Sequence, residues 1–231
     1  MATIAANLQA VKGRIREAAR VADRDPRAVS LLAVSKAWPA SAVREAWQAG
    51  QRAFGENYVQ EGIGKARQLA APGIEWHFIG PVQSNKTALI AANFDWVHGI
   101  ERLKIAERLA AARTGKPPLN LCLQVNVSGE ATKSGVAPGE LGALARTVAA
   151  LPNVRLRGLM AIPGPSRDYA AQRRPFRALR EMLERLVADE GLALDTLSMG
   201  MSGDLEAAIA EGATIVRIGT AIFGERNRGN S

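Results

Sequence analysis

SLLAVSKAWPAS, residues Ser30 to Ser41, reads as a short buried strand that runs into a lysine and stops. An ammonium group at the junction of an apolar run and a loop loses hydration and gains nothing from half-burial, so Lys36 needs a chemical reason to be there. Alternation along a strand puts Leu32, Val34 and Lys36 on one side. If the first two point into a core, the lysine points into whatever opening lies above it.

Outward from this stretch, apolar and β-branched runs alternate with helix-patterned segments, the pattern of a parallel sheet with helical crossovers. The predicted strands are Val29 to Val34, Ala53 to Gly55, Glu75 to Ile79, Trp96 to His98, Leu119 to Val127, Arg155 to Ile162, Thr196 to Met199 and Thr214 to Ile218. Between them, helices are predicted over Ala40 to Gln48, Tyr58 to Leu69, Lys86 to Ala92, Arg102 to Arg113, Gly139 to Ala150, Leu179 to Ala188 and Leu205 to Glu211. An extra N-terminal helix spaces Ile4, Leu8, Val11 and Ile15 at helical intervals and lacks the apolar core of a secretory signal. With 231 residues and no linker rich in Pro, Gly or Ser, the expectation is one α/β domain over 1–231, a (β/α)8 TIM barrel. Loops leaving the C-terminal ends of barrel strands build active sites, which places Lys36 at the working mouth.

The last two strands supply a complement. TLSMGMSGDLEAAIAEG is a strand, a small-residue turn and a helix, with Ser202, Gly203 and Asp204 available as caps. TIVRIGTAIFGER repeats the device, with Gly219 and Thr220 opening a second small turn. Helix N-termini fed by such turns suit phosphate, and barrels most often hold phosphate after strands seven and eight. Asp204 is an awkward neighbour for an anion and is expected to cap or to point away. Arg217 interrupts the eighth strand, and an interior guanidinium without a partner costs several kcal/mol, so a buried acceptor must meet it; Glu56 is one candidate. Closure makes the first and eighth strands neighbours, so Lys36 and Arg217 face one cavity. Two cations there oppose each other's charge and lower the lysine pKa, favouring an amine that condenses with a carbonyl.

Each residue also has a plainer reading. Lys36 alone reads as a snorkelling strand-end lysine, Ser202 and Thr220 as helix caps, Gly219 as a turn, Asn57 as a turn residue and His77 as a satisfied core histidine. Cys122 is the only cysteine and sits in LNLCLQVNV as a buried strand residue, so no internal disulfide forms and a reducing, cytoplasmic compartment is expected. His77 and His98 are far apart in the sequence, and no metal cluster is expected from them. The formal charge of +8 suits a phosphate-bearing partner, nucleic acid included. However, the basic stretch RRPFRALREMLERL carries Phe176, Leu179, Leu183 and Leu186 as one apolar stripe and pairs Glu181 with Arg185, as an outer barrel helix would, with Pro175 near its start or at a kink. No phosphate loop, RNA-binding signature or membrane-spanning run appears, so neither nucleic acid nor membrane is an expected partner.

The blocks AVSKAWP, FGENYVQE, WHFIGPVQSNK, GLMAIP, MGMSGDLEAAI and VRIGTAIFG, in that order from Leu31 to Gly224, closely resemble the pyridoxal phosphate homeostasis proteins, single-barrel relatives of the alanine racemase N-terminal domain. The resemblance implies pyridoxal 5'-phosphate (PLP, a vitamin B6 cofactor) bound as a Schiff base on Lys36. It implies phosphate-binding residues at Ser202, Gly219 and Thr220, Arg217 facing the pyridine nitrogen, Asn57 beside the cofactor and His77 near the site. SKAW departs from the usual Ser-Lys-Thr-Lys form at Ala37 and Trp38. The implied role is buffering and delivery of PLP, without turnover and with no catalytic residue. Expected partners are PLP-dependent apoenzymes and free amino acids, and a monomer is expected. The alternative is a low-activity PLP-dependent amino-acid racemase. In alanine racemases the opposing tyrosine comes from a C-terminal β domain, whereas this chain ends soon after its eighth strand and has only Tyr58 and Tyr169.

Overall fold

A computed structural model describes residues 3–69, 72–129 and 134–225. Eight parallel strands close on themselves in sequence order. They are β1 (Ser30–Val34), β2 (Ala53–Glu56), β3 (Glu75–Phe78), β4 (Trp96–Ile100), β5 (Leu119–Gln124), β6 (Val154–Met160), β7 (Thr196–Ser198) and β8 (Ile215–Ile218). Every predicted strand is present, each of them a residue or more shorter or longer than predicted.

Alternation sorts each strand between two cores. Leu32, Trp96, Cys122, Met160 and Ile215 fill the barrel interior. Their neighbours Ala33, Val97, Leu121, Leu123, Leu159 and Val216 belong to the larger core between strands and helices. Full burial of such a side chain contributes roughly 1.5–3 kcal/mol, so a one-residue slip in any strand would exchange the two cores at high cost. At the seam β1 pairs with β8 and Leu32 stands opposite Arg217.

The outer layer is α1 (Ile4–Val21), α2 (Ala40–Gln48), α3 (Val59–Leu69), α4 (Thr87–Asn93), α5 (Leu103–Ala112), α6 (Leu141–Ala149), α7 (Tyr169–Glu190), α8 (Leu205–Ala210) and the single turn α9 (Thr220–Phe223). Thr3 caps α1 by accepting the Ala6 N–H at 3.1 Å, and Leu8, Val11, Ile15, Ala18 and Ala19 form its buried stripe. This helix packs against α8 and α9, and Arg14 donates to Glu206 at 2.8 Å and to the Ser202 carbonyl at 3.2 Å. The N-terminal helix thereby braces the loop after β7.

One expectation is corrected here. The helix predicted over Leu179 to Ala188 starts ten residues earlier, at Tyr169, because the Asp168 carboxylate caps it and Pro175 is accommodated within it. Gly219 and Thr220 open the single-turn helix α9, in line with the strand, turn and helix device read from the sequence. Among the described residues no helix is long and apolar enough to cross a membrane.

Candidate functional site

At the C-terminal end of the barrel a cavity of about 290 Å³ is lined by Lys36, Asn57, Ser202, Gly203, Arg217, Gly219 and Thr220, with Val34, Trp38 and Ile79 among its apolar walls. Six of the seven predicted site residues meet there. Leu32 lies in the interior and Val34 lines the cavity, which is the alternation that aims Lys36 at the mouth.

The loop carrying Lys36 is clamped from below. Ser35 is fully buried, and its hydroxyl donates to Glu56 Oε1 at 2.6 Å. Lys65, on α3, directs its ammonium to the Ser35 carbonyl at 2.7 Å, to Glu56 Oε1 at 2.7 Å and to Glu61 Oε1 at 2.6 Å. Glu61 Oε1 in turn accepts the Ala37 N–H at 2.6 Å. Both neighbours of Lys36 are therefore tied into one ionic cluster. Ala37 needs the tie, since its φ of 64° is left-handed and costs a non-glycine residue about 1–2 kcal/mol. Burial pushes the Glu56 carboxyl above its ordinary pKa, against the pull of the Lys65 ammonium. On the outer side Trp38 stacks on Phe223 of α9, with centroids 6.0 Å apart.

Arg217 alternates with interior Ile215 along β8 and is 5% exposed. Its partners are not Glu56, which the Lys65 cluster occupies. Arg217 Nη1 donates to the Ser198 carbonyl at 2.6 Å and to Ser198 Oγ at 2.8 Å, and Nη2 donates to the Ala161 carbonyl at 2.9 Å. The required buried acceptors are two carbonyls and a hydroxyl, and among the described residues no carboxylate pairs directly with the guanidinium. Burial lowers its pKa to about 10, with Asp204 opposing.

Ser202 and Gly203 follow β7, and Gly219 and Thr220 follow β8. The first N–H groups of a helix have no acceptor within it, and each of these turns leads into one, α8 or α9, beside the cavity wall. Asp204 does not cap α8 with its side chain; Oδ1 accepts the Met201 N–H at 2.6 Å and so closes the turn below the cavity. Asn57 Oδ1 is buried and has no hydrogen-bond partner among the described residues, so a donor in the cavity would satisfy it. Gly80 makes that placement feasible: a Cβ on it would lie 2.3 Å from the Asn57 carbonyl oxygen.

His77 does not line the mouth. Ile79 reaches the cavity wall, and His77, two residues earlier on the same side of the strand, sits roughly 6–7 Å deeper in the barrel. There it meets the other histidine despite their separation in sequence, with His77 Nδ1 2.9 Å from His98 Nε2. Cys122 is fully buried and its thiol is pushed up to about 12 by burial, as suits a strand residue. Among the described residues no cluster of His, Cys, Asp and Glu could hold a metal. The residues missed from sequence are Ser35, Glu61, Lys65 and Ser198. A lysine four residues after a glutamate in a helix, as in Glu61 and Lys65, looks like a surface pair, and nothing local marks it as buried.

Residues 6–227 match the model of the alanine racemase N-terminal domain. The pyridoxal phosphate homeostasis protein of Pseudomonas aeruginosa is 64% identical over 230 residues, covering 99% of this chain and 98% of that one. The protein of the same name from Escherichia coli K12 is 54% identical over 236 residues, covering 98% of each. Among solved structures, PipY of Synechococcus elongatus with PLP bound superposes with a TM-score of 0.81 at 41% identity, covering 91% of this chain and all of that one. A barrel closed in sequence order, a lysine after β1 and an arginine inside β8 are thus found in a chain that belongs to the alanine racemase N-terminal domain family and, within it, to the pyridoxal phosphate homeostasis proteins.

Proposed function

We propose that the mouth cavity holds PLP as a Schiff base on Lys36 and that the protein takes part in intracellular PLP homeostasis, storing the cofactor and handing it to apoenzymes or free amines. The observation that carries this reading is the convergence of Lys36, Arg217, Asn57 and two small-residue turns on one cavity. The fit is chemical. PLP supplies an aldehyde that condenses with a primary amine with loss of water, a phosphate dianion and a ring nitrogen. Lys36 offers the amine. Ser202, Gly219 and Thr220 offer hydroxyl and main-chain donors to the phosphate. Arg217 has donors only, and its fixed positive charge disfavours a proton on a nitrogen facing it, which weakens the ring as an electron sink. Asn57 Oδ1 awaits a donor.

Racemisation would require an acid/base group on the second face of a substrate. Tyr58 is largely exposed and is not among the residues lining the cavity. We therefore favour storage over turnover, and α-deuterium exchange of alanine at an enzymatic rate by cofactor-loaded protein would reverse that preference. The reading itself is tested by borohydride reduction of the PLP-treated protein and peptide mapping. The label is expected on Lys36, and Lys36→Ala is expected to lose both label and Schiff-base absorption; a label on another lysine overturns the assignment.

A further inference from the structure

Four side chains that the cavity does not use lead away from Arg217 through the barrel. Ser198 Oγ lies 2.8 Å from His98 Nδ1, His98 Nε2 lies 2.9 Å from His77 Nδ1, and His77 Nε2 lies 2.7 Å from Glu75 Oε1. They come from β7, β4 and β3. Glu75 is half exposed at the base, where Trp96, Arg157 and Asp195 line a second opening.

The two ends dictate how the protons run. A guanidinium can only donate and an ionised carboxylate can only accept. Arg217 Nη1 occupies one lone pair of Ser198 Oγ, which leaves the single hydroxyl proton for His98 Nδ1. His98 then carries its proton on Nε2 and donates to His77 Nδ1. His77 likewise carries its proton on Nε2 and donates to Glu75. Every group is satisfied and both imidazoles are neutral. The reverse order would need a doubly protonated His77, would strand the Ser198 hydroxyl proton in a buried site, and would add a cation to an interior that already holds Arg217. Burial, with His77 and Arg217 acting in the same direction, holds His98 well below its ordinary pKa. Glu75 is held below its ordinary pKa by the bond from His77.

We propose that Glu75, His77, His98 and Ser198 are positioning residues, a one-way hydrogen-bond chain that holds the Arg217 guanidinium against the mouth and thereby sets how tightly PLP is bound. The chain stands on geometry alone, whereas its effect on PLP rests on the reading of the cavity given above. Glu75 opens β3, and cavity-lining Ile79 follows directly after its end, four residues and roughly 13 Å further along, so Glu75 acts on the cofactor only through the chain.

The protein contains two histidines, so long-range ¹H–¹⁵N spectra of the cofactor-free protein display two imidazoles. Both are expected to be neutral Nε2–H tautomers at pH 7. Glu75→Leu is expected to release the His77 tautomer bias, to weaken PLP binding on the order of threefold to tenfold by absorbance titration, and to move the absorption maximum of the bound cofactor. Glu75→Gln keeps an acceptor oxygen and is expected to restore the wild-type tautomers and affinity. An imidazolium at either histidine at pH 7, or an Nδ1–H tautomer at His98, overturns the chain even if Lys36 binds PLP. Unaltered affinity and absorption in Glu75→Leu, with the tautomers as expected, overturns the positioning role. Failure of the wild type to bind PLP overturns the reading of the cavity, and the positioning role with it, while the spectra still decide the chain.

Discussion

An imidazole sealed inside a barrel answers to acid through the unfolded chain. His98 is fully buried and its pKa lies well below 6.5 in the folded state, chiefly because burial disfavours the imidazolium. As pH falls through the unfolded value of about 6.5, the unfolded chain takes up a proton there and the native state does not, so stability is lost with acidification. The slope from this one group approaches about 1.4 kcal/mol per pH unit below that value. Glu56 and Asp204, whose pKa values burial raises, titrate with the opposite sign, so the comparison has to be between proteins and not between pH values alone. Urea unfolding at pH 7.0 and 5.5 is expected to show a smaller acid loss in His98→Leu than in the wild type, by up to one proton's worth. Equal losses would mean that His98 is protonated in the native state.

Strands and helices place these residues, and their legibility in the sequence follows from how local the cause is. The helix Ala40–Gln48 is read to the residue because its apolar spacing lies within it and Pro39 immediately precedes it. The start of α7 is not, because Tyr169–Gln172 carries little apolar signal and Pro175 argues against a helix that the Asp168 cap and packing against α8 sustain. Five of the six mouth residues, Lys36, Ser202, Arg217, Gly219 and Thr220, are legible because barrel topology converts position in or just after a strand into position in a site, whereas Asn57 entered only through the family resemblance. The Arg217 chain is not, since His98 and Ser198 are 100 residues apart. Lys65 is the sharpest omission. Lys65→Met is expected to cost about 3–5 kcal/mol, since it strips the counter-charge from fully buried Glu56, and to slow Schiff-base formation by freeing the Lys36 loop. Unfolding curves and the growth of the PLP absorption band read the two effects separately. Gly80→Ala is expected to push back the Asn57 main chain, which a Cβ would meet at 2.3 Å. PLP affinity is then expected to fall with little change in the rate of borohydride labelling at saturation, whereas unchanged affinity would remove Asn57 from the site.

For the molecule as a whole, closure at the seam matters more than any single contact. The loops after β1 and β2 come early in the chain, those after β7 and β8 come late, and the β1–β8 pairing alone brings Lys36 and Arg217 to one cavity. A ligand held by both sets bridges the chain's two halves, and because the unfolded chain offers no such cavity, its binding energy adds to the stability of the closed barrel. At a free concentration 100 times Kd the linkage contributes about 2.7 kcal/mol. For a protein of this size that corresponds to a rise in Tm of roughly 5–10 °C. On the proposed binding mode inorganic phosphate would engage only the late loops, and it is expected to give a smaller rise. Lys36→Ala is expected to bring the PLP response down toward the phosphate response, because the bridge to β1 is lost while the cup remains. Thermal scans of both proteins with each ligand distinguish this from an anion effect: equal shifts for PLP and phosphate in the wild type would mean that the early loops take no part in binding.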